Sequence, residues 1–124
     1  LDRARLARGT LEGVAFCLAD VWDAVHAIAG IDARPRLTGR ITTQPAWAQI
    51  VADVLGSDLD LIEAADASPL GAAMVGHLAL GHVDRLDDLP IPAADTTVAH
   101  DPRAHAAYDE PYRRFRASAH DDHG

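Results

Sequence analysis

The stretch LTGRITTQPAWAQIVADVLG, residues 37–56, decides how this chain is read. It opens on an extended run that ends at Gly39. It then turns into a helix that Thr43 is placed to cap and that Pro45 begins, since proline suits a first helical turn. Trp47, Ile50, Val51, Val54 and Leu55 recur at helical spacing and form the expected buried stripe. Gly56 supplies the stop. A strand, a glycine loop and an amphipathic helix in so short a span form the repeating unit of an α/β protein.

Upstream, the strand reading covers Arg34 to Thr38. Before it, Leu11, Val14, Leu18, Val21, Trp22, Val25 and Ile28 mark a long helix, with Asp2 as its N-cap and Gly30 as its stop. Gly13 inside that helix costs roughly 1 kcal/mol against alanine. It reads as a tolerated weak point or as the close approach of another backbone. Downstream, Leu59 to Ile62 alternates like a short strand. Ser68 then reads as an N-cap with Pro69 at the first helical position, opening a small-residue helix that stops near Gly81. Asp84 to Thr97 is acidic, carries Pro90 and Pro92, and reads as a loop. Asp101-Pro102 opens a last helix to about Arg116, with Pro111 expected to kink or split it. Residues 1–116 are expected to form one domain and 117–124 a disordered tail.

Two short strands make a poor sheet by themselves. The fold class is therefore α/β with helices on a short, incomplete sheet, its remaining strands coming from upstream residues or another chain. The chain begins at Leu1 and its one methionine is Met74, so further sequence upstream is expected.

Composition narrows the function. The formal net charge of -8 argues against nucleic acid and against an anionic membrane surface. Cys17 is the only cysteine, which excludes an intrachain disulfide and suits a reducing, cytoplasmic setting. Cys17 itself reads as a small core residue. His77 and His82, five residues apart, do not share a helix face. His120-Asp121-Asp122-His123 is a weak chelating tail, so no metal site is expected.

Four blocks, in order, resemble the C-terminal domain of the FGGY family of carbohydrate kinases, with xylulokinases the most similar subgroup. The first is Arg8 with Leu11-Glu12-Gly13-Val14-Ala15-Phe16. The second is Leu37-Thr38-Gly39 followed by Trp47, Gln49-Ile50 and Ala52-Asp53-Val54-Leu55-Gly56. The third is Glu63, Ala67-Ser68 and Leu70-Gly71-Ala72-Ala73. The fourth is Asp101-Pro102, His105, Tyr108 and Tyr112-Arg113.

The resemblance implies part of a ribonuclease H-like, actin-like ATPase domain. It implies transfer of the ATP γ-phosphate, with Mg²⁺, to a sugar hydroxyl, D-xylulose by overall similarity. The sugar and the aspartate base would belong to an N-terminal sugar-binding domain absent from this chain, so the chain alone should be inactive and none of its residues is expected to be catalytic. Family members often dimerise, which makes a homodimer an expectation. The family's glycine-rich adenosine loop falls on Gly39, Arg40, Ile41 and Thr42, and the helix start near the nucleotide falls on Ser68 and Gly71. Only Gly39 of that loop remains glycine. The side chain of Ile41 is expected to occupy nucleotide space, and positive φ there would be an outlier. That replacement motivates an alternative: a kinase-like protein with a degenerate ATP site, serving as a regulatory or interaction module. Trp47 is expected in the core and Asp53 in helix packing.

Overall fold

The computed structural model describes residues 2–30, 34–62 and 67–120. Helix α1 spans Arg3–Ala29. The Asp2 carboxylate accepts from the Ala4 N–H at 3.3 Å, and Gly30, at φ 57°, closes the helix by donating to the His26 carbonyl. Strand β1 is Arg36–Thr38, and the segment Arg40–Thr43 is a 3-10 turn. Helix α2 is Pro45–Leu55, strand β2 Leu59–Ile62, helix α3 Ala67–Ala79, strand β3 Thr96–Val98 and helix α4 Pro102–His120.

The sheet runs β1-β2-β3. β1 and β2 are parallel, with Leu37 beside Leu61 and Thr38 beside Ile62. β3 joins antiparallel, with Asp60 beside Thr97. This third strand lies in and just beyond the stretch read as a loop, whose other part carries a short 3-10 turn at Leu86–Asp88. Its three residues, Thr96, Thr97 and Val98, carry too little pattern to signal a strand; pairing with β2 makes it one.

Other readings shift for local reasons. Gln44, not Thr43, holds the N-cap position of α2, without a side-chain bond. The Thr43 hydroxyl instead donates to the Arg40 carbonyl at 2.8 Å and closes the 3-10 turn. Ser68 lies inside α3, which already includes Ala67; the residues before it, Glu63 among them, fall outside the described residues. Pro111 leaves α4 a single helix: it is exposed, and the carbonyl it deprives of a donor belongs to the exposed Ala107. Of the tail expected over residues 117–124, 117–120 are helical and 121–124 lie outside the described residues.

The core gathers where α1 and α2 meet the sheet. Ala15, Phe16 and Ala19 of α1 face Val51, Ala52 and Val54 of α2, with Leu59 and Leu61 from β2. The expected stripe of α1 is largely outside this core: Val21 is 63% and Ile28 88% exposed. Alanines do the burying because they let helices approach closely, while Phe16 packs on Tyr108, Tyr112 and Phe115 of α4 at 5.6–6.0 Å. Among the described residues no helix is long and apolar enough to cross a membrane.

Candidate functional site

The parallel register puts the carboxyl ends of β1 and β2, Thr38 and Ile62, side by side. Crevices outside the carboxyl ends of parallel strands are where α/β sheets bind ligands. Here a crevice of about 190 Å³ opens between Thr38, Ile62 and the first turns of α3, where Ala67, Leu70, Gly71 and Met74 form one wall. Pro92 forms another, its carbonyl held by the Arg36 guanidinium on β1. The Asp95 N–H bonds the Leu61 carbonyl at 2.9 Å and ties the same connection to β2.

Gly39 leaves β1 at φ 89°, ψ -165°, a conformation that strains any L side chain. The 3-10 turn follows at once. Its Thr42 hydroxyl donates to the Gly39 carbonyl at 2.8 Å, which locks the turn. Ile41 does not fill the crevice: its side chain is buried in the hydrophobic core, and no residue other than glycine has positive φ among the described residues. A 3-10 turn aims its second residue inward here, so the isoleucine serves packing.

The six residues expected at the site therefore divide. Gly71 lines the crevice, and among the described residues a Cβ added there meets nothing within 4 Å. Gly13 on α1 likewise has no atom so near among the described residues. Gly39, Arg40 and Ser68 are exposed but are not among the lining residues, and Ile41 and Thr42 are buried. Thr38, Ile62, Leu70, Met74 and Pro92 went unread as site residues. The strand ends Thr38 and Ile62 were recoverable from the rule about parallel strands; Pro92 was not, because the path of its loop fixes it.

The crevice is apolar, and no titratable side chain lines it. It can hold a flat, largely apolar group, but it carries no acid, base or nucleophile of its own. Among the described residues no group of three histidine, cysteine or carboxylate side chains gathers for a metal.

The remaining motif residues build the frame behind the crevice. Arg8 donates to Glu12 at 2.7 Å and to the Tyr108 hydroxyl at 3.1 Å, while Tyr108 donates to Glu12 at 2.9 Å. Burial, more than these partners, pushes the Tyr108 phenol above its usual range. Asp53 is buried and accepts from Gln49 Nε2 and from the Asp101 N–H, both at 2.8 Å. Gln49 also donates to the Ala99 carbonyl. His105 Nδ1 lies 2.9 Å from the Asp53 carbonyl, an end-of-helix oxygen that would otherwise lack a donor. Trp47 packs against the core as expected. Apart from Arg8–Glu12 within α1 and Gln49–Asp53 within α2, these bonds join α4 or its approach to α1 or α2.

A second hollow lies elsewhere. A groove of about 260 Å³, almost wholly apolar, runs beside β1 between Leu18, Val21, Trp22 and Val25 of α1 and Leu55 of α2. Among the described residues β1 has a strand partner on one side only.

Comparison with known proteins places this architecture. The chain is 36% identical over 114 residues to the xylulose kinase of Escherichia coli (strain K12), covering 90% of this chain and 23% of that protein. It is 40% identical over 87 residues to the glycerol kinase of Mycolicibacterium vanbaalenii, covering 69% of this chain and 17% of that protein. The crystal structure of xylulose kinase from Rhodospirillum rubrum superposes with a TM-score of 0.72 at 28% identity, over 94% of this chain and 24% of that one. The chain thus spans about a quarter or less of the relatives it matches. Residues 1–80 match the C-terminal domain of the FGGY family of carbohydrate kinases, and the chain belongs to that family.

Proposed function

We propose that this chain is the adenosine-side part of a sugar kinase that transfers the γ-phosphoryl group of ATP to a sugar hydroxyl, D-xylulose in the first instance. The observation that carries this reading is the crevice at the paired ends of β1 and β2. Its apolar walls suit a purine, and the open space over Gly71 leaves room for one to lie against α3. Ile41, which lies in the core, does not obstruct it. When bound, ATP with Mg²⁺ supplies the phosphoryl group and neutralises its charge. The residues of this chain would position the nucleotide: Thr38 and Gly71 from the crevice wall, Gly39, Arg40 and Ser68 from outside it, and Ile41 and Thr42 by holding the turn.

The base and the sugar contacts would come from an N-terminal sugar-binding domain. Two features support a larger assembly. Among the described residues β1 has an open edge, and the apolar groove beside it is the surface a further strand would cover. D-xylulose is favoured because the E. coli xylulose kinase alignment takes in 90% of the chain, against 69% for the glycerol kinase. A cytoplasmic location fits a single free cysteine and ATP-dependent chemistry.

The test is a chimera in which this chain replaces the matching quarter of the E. coli xylulose kinase. ATP-dependent phosphorylation of D-xylulose is expected, lost in Gly71→Leu through a raised KM for ATP. A folded chimera that binds xylulose but shows no MgATP binding at millimolar nucleotide would sink the reading. The chain alone is expected to phosphorylate neither D-xylulose nor glycerol.

A further inference from the structure

We propose that His77 and His82 form a two-imidazole binding site for a divalent transition cation of the Ni²⁺, Cu²⁺ or Zn²⁺ class. Their spacing would set them on different faces of a continuous helix, but α3 ends at Ala79. Gly81, at φ 70°, turns the chain back, its N–H donating to the Leu78 carbonyl and that of His82 to the His77 carbonyl at 2.9 Å. This paired closure brings the third residue from the helix end against the second residue beyond the cap residue Leu80, and the contact there is usually hydrophobic. In this chain both positions are histidine.

The two Nδ1 atoms lie 3.1 Å apart, with the rings 5.2 Å between centroids and tilted by 55°. Two nitrogens bonded to one ion at about 2.1 Å and separated by 3.1 Å subtend about 95° at the metal, between octahedral and tetrahedral values. The backbone bond between the same two residues holds their main chains close, and an ion would replace the hydrogen bond that joins the two Nδ1 atoms, with both rings in the Nε2–H tautomer. Both side chains are exposed, which leaves the remaining coordination positions open to water. The negative end of the α3 dipole adds a modest attraction for a cation. Imidazole pairs select borderline transition metals, whereas Mg²⁺ prefers oxygen. The site is thus distinct from the Mg²⁺ of the proposed kinase and does not depend on that reading.

The test is titration of the chain with NiCl2, followed by calorimetry and by paramagnetic broadening of amide signals. One site is expected, with broadening centred on residues 77–82 and no response to MgCl2. His77→Ala and His82→Ala should each weaken binding by roughly tenfold or more, because the second donor no longer acts intramolecularly. His120→Ala with His123→Ala should leave it unchanged. Absence of binding at millimolar Ni²⁺, or affinity that survives loss of either His77 or His82, would overturn the proposal, as would binding lost with the tail histidines. If a variant alters the far-UV spectrum, the position of the broadening in the unsubstituted chain decides.

Discussion

Helices α2 and α3 are of similar length and equally rich in apolar residues, yet α2 buries five side chains and, among the described residues, α3 buries none. α2 concentrates its apolar residues on one face, and that face meets α1, α4 and the sheet. α3 spreads them around its circumference, leaving Leu70 and Val75 exposed. A helix apolar all round is built for a covered position. The contrast teaches that α2 completes its packing within this chain, whereas the described residues leave the apolar surface of α3 largely uncovered. In the proposed kinase, nucleotide and the rest of the protein cover it.

The sharpest way to break that comparison is to truncate one buried and one exposed residue. Leu59 is 1% exposed at the centre of the core, and Val75 on α3 is 57% exposed. Leu59→Ala is expected to lower the unfolding free energy by about 2–5 kcal/mol, from lost burial plus the cavity left behind. Val75→Ala should change it by about 0.5 kcal/mol or less. Urea denaturation measures both. Equal effects would mean that α3 is packed in solution.

Glycines give the next contrast, this time with opposite signs. Gly56 ends α2 at φ 62°, and a Cβ there would fall 2.5 Å from the His105 ring. Gly56→Ala adds left-handed strain and displaces the imidazole that pairs with the Asp53 carbonyl, a loss of about 2–4 kcal/mol. Gly71 sits in α3 with open space where its Cβ would go. Gly71→Ala should stabilise by up to about 1 kcal/mol through helix propensity, seen as a raised melting temperature. A destabilised Gly71→Ala would show that α3 has a close neighbour after all.

The same division governs what the sequence disclosed. The frame was legible: Asp2, Gly30, Gly56 and the four residues of β2 fell where their chemistry puts them, because caps and alternation are local signals. β3 was not legible, since Thr96, Thr97 and Val98 become a strand only by pairing with β2. The site was half legible. Motif residues pointed to the loop at Gly39 and to Gly71, but the crevice walls depend on which strand ends the parallel register juxtaposes. Ile41 was expected to reach into nucleotide space; its burial in the core follows from the direction the 3-10 turn gives it, which spacing along the loop does not disclose. Most motif residues, among them Arg8, Glu12, Asp53 and Tyr108, proved to hold helices together.

The smallest expected effect tests whether α4 is held by its polar seam as well as by its rings. The Tyr112 hydroxyl donates to the Asp23 carboxylate at 2.8 Å, and Arg116 reaches Asp20 at 3.0 Å alongside. Burial, reinforced by Asp23, pushes the Tyr112 phenol up to about 12 from its ordinary 10.0. A phenol with a raised value keeps its proton in the folded state after the unfolded chain has begun to lose it. The stability this represents is complete below pH 10 and is lost as pH rises through about 12. Melting temperature should therefore fall with pH across that window, and Tyr112→Phe should fall less steeply, since phenylalanine keeps the packing on Phe16 but has no proton to lose. Tyr108, also raised, keeps the slope from vanishing in the variant. Parallel slopes for the two proteins would mean that Tyr112 holds α4 through its ring alone, leaving the α1–α4 junction a hydrophobic contact edged by solvated charges.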